Sequence, residues 1–238
     1  MIKFFQKIRQ KLVIEDKTSK YFKYAIGEII LVVIGILIAL SINTWNEKRK
    51  QKDTLLGIYQ IIKEDITTDI VEINDFIDEF EKSRKPAFET VLKGNLSKED
   101  FQKHPEYLSV LNGFKDFAIN QRGFELLKNQ SNEMSIGKQN LASKINLFYN
   151  KHLIEINIST LEIMREFVYN MNEHKQFPWF SSFLLHKETE GAIDFIMNNP
   201  LEKNRIATYY LVYQIYVNEL QEFKKNGETI IKEINSIH

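Results

Sequence analysis

The sequence predicts an all-α protein: an N-terminal amphipathic segment, one transmembrane helix and then an antiparallel helical bundle. Three observations carry this expectation. Glycine (9) and proline (4) are scarce among 238 residues, whereas a β-rich fold needs both at its many tight turns. Residues 25–45 hold a long, nearly unbroken apolar run. Beyond it, apolar residues recur every three or four positions, and no sustained period-two alternation occurs.

Composition narrows the function classes. With 43% apolar and 27% charged residues the chain has enough core-forming side chains to fold, which excludes wholesale disorder. The absence of cysteine excludes disulfides, zinc–thiolate sites, iron–sulfur clusters and thiol catalysis. A formal net charge of zero argues against a nucleic-acid partner.

That zero hides an asymmetry. Residues 1–24 carry seven bases and two acids, and residues 46–238 carry 25 bases and 29 acids. The division predicts a basic cytoplasmic segment (1–24), a transmembrane helix (25–45) and an extracytoplasmic helical bundle domain (46–238). In the first segment Ile2, Phe5, Ile8 and Leu12 share a helical face, while Lys3, Lys7, Arg9 and Lys11 fall mainly elsewhere. Such a basic amphipathic helix suits the surface of an anionic leaflet, so anionic lipids are expected partners. The plainer alternative is a positive tail that only sets topology.

Residues 25–45 read AIGEIILVVIGILIALSINTW. At 1.5 Å per residue they span roughly 31 Å, a bilayer's hydrocarbon thickness. Tyr21, Phe22 and Tyr24 at one end and Trp45 at the other form an aromatic belt. A cleavable leader would need about 41 residues, beyond the usual length, so an uncleaved single-pass anchor is expected. Six bases lie within 20 residues before the span and five after it. This slight excess and the short basic head place the N-terminus in the cytoplasm. The expected location is the inner membrane, with the C-terminal domain periplasmic.

Glu28 lies about one turn inside the span. An ionisable group there costs a few kcal/mol unless it meets a partner, water or the headgroups. Gly27, Gly35 and Ala39 allow another backbone to approach, Gly35 and Ala39 forming a small-x-x-x-small pair. Glu28, Gly27, Gly35 and Ala39 are therefore the candidate membrane-helix contact, with a second copy or with another membrane protein. Snorkelling of Glu28 to the headgroups is the competing reading.

From Lys52, the positions Leu55, Tyr59, Ile62, Ile66, Ile70, Ile73, Ile77 and Phe80 predict one helix continuing from the span to about Lys82, ending before Pro86. A short helix over 86–94, a turn at Asn95–Asp100 and broken helix over 105–129 follow. A long helix is expected over 138–172, with Leu141, Ile145, Phe148, His152, Ile156, Thr160, Ile163 and Phe167 as its stripe. Residues 174–182 read as a loop and 188–198 as a short helix. Asn199, Pro200 and Glu202 predict a capped helix start. Ile206, Tyr209, Tyr213, Tyr216, Leu220, Phe223, Gly227, Ile230, Ile234 and Ile237 give the last helix a heptad, coiled-coil-like seam.

No catalytic set emerges. None of the five histidines lies three residues after an acid, so the paired ligands of a di-iron bundle are missing. Phosphate-loop, dinucleotide and nucleophile-elbow motifs are also missing. His152 with Glu155, and His186 with Glu188 and Glu190, read as a core-edge histidine and a solvated loop. Asp65, Asp69, Glu72 and Glu79 read as a solvated helix face. Arg122 and Glu125 are spaced for an intrahelical ion pair beside Asn120. The chain is expected to be neither an enzyme nor a cofactor or metal binder.

The N-terminal block carries Phe4, Phe5, Ile8 and Arg9, then Tyr24, Ala25, Gly27 and Glu28, then Asn43, Trp45, Asn46 and Glu47. In these residues it resembles an uncharacterised family of small membrane proteins common in flavobacteria and other Bacteroidota. It is specific over about 45 residues and looser beyond, where Gly123-Phe124-Glu125-Leu126-Leu127 falls near the middle of an all-helical domain. The family is a domain of unknown function, so the resemblance implies layout and no activity. It also makes Glu28 part of a patterned block. Three functions remain open. The first is a membrane-anchored interaction or scaffold protein, an accessory subunit of an envelope complex. The second is a channel or motor/transporter subunit using Glu28. The third is a ligand sensor or unrecognised enzyme.

Overall fold

The computed structural model describes residues 18–111, 113–131 and 139–237. In order the elements are α1 (Thr18–Glu79), a π turn (Phe80–Arg84), α2 (Lys85–Lys93), α3 (Lys98–Lys103), a 3-10 turn (Pro105–Leu111), α4 (Arg122–Ser131), α5 (Gln139–His174), α6 (Trp179–Leu184), α7 (Glu190–Asn198) and α8 (Pro200–Asn235). The described residues contain no strand, so the all-helical expectation holds for them. The chain divides into two compact units, residues 1–56 and 57–238, and α1 contributes backbone to both.

In the first unit every residue from 29 to 45 is exposed. α1 is long and apolar enough to cross a membrane, and nothing in its apolar window is buried. The Ser41 hydroxyl donates to the Leu37 carbonyl at 2.8 Å, which satisfies a polar group inside an apolar helix. Polar side chains pair where the run ends. Asn43 Nδ2 donates to Glu47 at 2.8 Å, and the Arg49 guanidinium lies 5.2 Å from the centre of the Trp45 ring.

In the second unit α5 and α8 run antiparallel: Lys144 meets Glu233, His152 meets Asn226 and His174 meets Glu202. α8 also runs antiparallel to residues 57–79 of α1, where Phe80 stacks on Tyr213 and Lys224 donates to Asn74. Gly227 makes this approach possible, because a Cβ there would lie 2.7 Å from Ile66 Cγ2. The core combines Ile62, Ile66 and Ile73 from α1, Ile145, Tyr149 and Ile163 from α5, and Tyr209, Tyr213, Tyr216, Leu220 and Phe223 from α8. The aromatic seam read from the sequence is thus buried, except that Ile237 is exposed.

Several boundaries differ from expectation. The first helix was expected to stop before Pro86; instead a π turn over 80–84 leads directly into α2, with Pro86 in its first turn. Lys85 donates to the Phe80 carbonyl in the wider i to i−5 pattern. The π turn just before Pro86 accommodates a residue that has no N–H to donate back into the preceding turn. Residues 113–121 are not helical. Phe117 and Ile119 are buried from an irregular segment, and the helix begins only at Arg122. The expected loop over 174–182 contains the start of α6. Asn199 caps α8 as expected, its Oδ1 accepting from Leu201 N at 3.0 Å.

Candidate functional site

The candidate membrane contact lies in the first unit. Glu28 is half-buried, and Gly27, Gly35 and Ala39 are exposed. A Cβ built on Gly27 or Gly35 would meet no atom within 4 Å. Glu28 and Gly35 are two turns apart in α1 and so share a face. Lys3, Lys7, Arg9 and Lys11 lie outside the described residues.

Two polar arrangements in the second unit were not legible in the sequence. The first is a carboxylate clasp. Asp65 and Asp69 were read as part of a solvated face, but they are 6% and 0% exposed. Asp65 Oδ2 accepts from Gly123 N at 2.8 Å and caps α4 from a different helix. Asp69 accepts from Asn120 N at 3.2 Å and from Asn120 Nδ2 at 2.6 Å. Arg122 reaches Asp65 at 3.1 Å and Glu64 at 3.6 Å. It does not make the expected pair with Glu125, which binds Lys128 instead. Gly123 is required here, since a Cβ would lie 2.7 Å from the backbone nitrogen of Ile62. Burial pushes the Asp69 carboxyl up to about 7, opposed by its bonds from Asn120 and reinforced by the charges of Asp65 and Glu72. The same burial, with Asp65 and Asp69 nearby, raises the Tyr149 hydroxyl. Tyr149 stacks on Phe124 at 4.5 Å.

The second arrangement is an ion network at the far end of α5. His174 Nε2 lies 2.8 Å from Glu202 Oε1, and both residues are 1% exposed. Arg205 bridges Glu202 at 3.0 Å and Glu173 at 2.7 Å. Glu202 therefore turns inward to pair with His174 and Arg205 rather than back to cap its own helix. Trp179, Phe180 and Phe195 surround the His174 ring, and Trp179 Nε1 and His174 Nδ1 are buried without a hydrogen-bond partner. Midway along α5, burial lowers the pKa of His152, which rests against Asn226, Phe148 and Phe223. No group of three or more metal-ligating side chains occurs among the described residues. A cavity of about 180 Å³ is lined by residues that include Val91, Leu96, Phe101, Ile196, Met197 and Lys203, and its surface is part polar and part apolar.

Taken together, these features describe a helical protein with an apolar, exposed helix segment and a unit whose buried carboxylates Asp65, Asp69 and Glu202 are each held by a group from another part of the chain. Residues 28–123 match the model of a family of unknown function (DUF6090). No curated protein and no solved structure matches the chain. The family match agrees with the expectation of an uncharacterised domain. It spans Glu28, Gly35, Ala39, both clasp carboxylates, Asn120 and Gly123.

Proposed function

We propose that the chain is a single-pass inner-membrane protein, N-terminus cytoplasmic, whose periplasmic antiparallel helical bundle is an interaction module. It would serve as an accessory or scaffold subunit of an envelope complex. The observation that carries this reading is the outward-facing apolar run of α1, exposed throughout residues 29–45. A helix with an all-round apolar surface needs lipid or protein around it. The buried carboxylates support a structural reading over a catalytic one, because Asp65, Asp69 and Glu202 each accept a hydrogen bond from, or pair with, a group outside their own helix.

The experiment is crosslinking of the native protein in its own membranes, followed by recovery in mild detergent. A stoichiometric membrane or envelope partner supports the scaffold reading. Recovery of the chain from the soluble fraction overturns the anchor. Cation flux through the purified protein in liposomes would replace scaffolding with transport.

A further inference from the structure

α5 carries aliphatic residues on two opposite faces, the outer one interrupted by Asn150, Lys151, Asn157 and Arg165. Ile145, Tyr149, Ile156 and Ile163 face the core and are buried. At about 100° per residue, Leu147, Ile154, Ile158, Leu161 and Val168 lie roughly opposite. Their exposures are 71%, 61%, 54%, 48% and 47%. Leu147, Ile154, Leu161 and Val168 are each seven residues apart, with Ile158 filling the turn between the middle pair. A helix that packs only inward carries polar residues on its outer face. An aliphatic stripe kept in heptad register over three repeats is the seam of a second helix–helix contact.

We propose that this outer stripe of α5 joins two copies of the chain through the same face of each. Area is the first argument. Five aliphatic side chains at these exposures offer roughly 500 Å² per copy, so a symmetric pair buries about 1,000 Å², the lower limit for a specific interface. A pair that small needs high local concentration, which a shared membrane supplies; to that extent the inference rests on the proposed anchor. Symmetry is the second. A stripe with one heptad repeat complements itself without any further requirement, the usual route to a two-fold contact.

Charge is the third argument. Along the stripe Lys151 lies near Glu155, and Arg165 is paired with Glu162. The cations beside the seam are already matched within each chain, so two copies meet without unpaired like charge. The same pairing leaves no net positive charge along the stripe to draw it onto an anionic bilayer surface.

The absence of native cysteine makes the test direct. Position 158 is close to the midpoint of the 147–168 stripe, so it faces its own mate whether the two α5 helices run parallel or antiparallel. Full-length Ile158→Cys, oxidised in native membranes, is expected to give a disulfide-linked dimer as its main product. Thr229→Cys, exposed on α8, is expected to give only a trace. If Ile158→Cys stays monomeric, the proposal fails. Maleimide labelling then tells an open face (reactive thiol) from one covered by another molecule (protected thiol). A second variant, Ile154→Lys with Leu161→Lys, changes only exposed positions. It is expected to retain its helical content and lose the dimer mass of the full chain in detergent; a retained dimer mass overturns the proposal. Adding Glu28→Leu separates the two interfaces. A 158 crosslink that survives Glu28→Leu shows the α5 contact standing even where the membrane contact proposed for Glu28 has failed or been removed.

Discussion

Asp69 shows how one residue can be misread by periodicity and then set a solution property. Its position in α1 lies in the middle of the buried face, between Ile62, Ile66 and Ile73. The helical pattern drawn through Ile70 and Ile77 placed it beside the seam instead, because a carboxylate in a core is not expected without a visible partner. The partner is Asn120, 51 residues away, and no spacing rule reaches that far. The signal that could have pointed to it is the Asn120–Gly123 pair set inside an otherwise apolar stretch. Because burial raises the Asp69 pKa above its ordinary value, the folded state holds a proton that the unfolded chain releases. Its contribution to stability is full below about 4 and is lost as pH rises through about 7. Urea unfolding of parent and Asp69→Asn across pH 4–8 checks this: the parent is expected to lose stability relative to the variant over that window, and parallel curves would refute it. Gly123→Ala is expected to destabilise by about 1–3 kcal/mol, since the new methyl meets backbone rather than a movable side chain. An unchanged midpoint would show that α1 and α4 can separate at no cost.

At the scale of elements, legibility followed the reach of each signal. α8 was readable at its start and along its seam, because a local cap and a heptad of aromatics are statements about neighbours in sequence. Removing that cap with Asn199→Ala is expected to cost about 1 kcal/mol, measured by thermal unfolding; no loss would mean that Pro200 alone defines the start. The irregular segment over 113–121 was hidden because Phe114, Phe117 and Ile119 fit a helical and a non-helical reading equally well. Only the carboxylates of α1 decide between the two. The exposed half of α1 carries a different test. Glu28→Leu keeps the span apolar and long enough. If Glu28 serves a membrane contact, the variant is expected to insert normally but to lose its partner or change its assembly size by detergent-corrected light scattering. Unchanged insertion, size and partner recovery would reduce Glu28 to a snorkelling residue.

For the whole molecule, the proposed topology makes one global prediction. A phosphatase fused after His238 is expected to be active and a fluorescent protein at the same point dark, if the second unit is exported. The reverse result would turn the orientation around while leaving the anchor intact. Within that second unit, chain order also bears on assembly. Asp65 precedes Gly123 by 58 residues, so the cap of α4 has left the ribosome before the helix it caps. All the groups that form the clasp are present once residues 120–123 have been made. α8, which packs against both α1 and α5, is made after both of them. The parts of α1 and of the inner face of α5 that α8 covers therefore stay open until residues 200–235 are made. A chain truncated before Pro200 is therefore expected to leave those apolar faces open to any binder of exposed apolar surface.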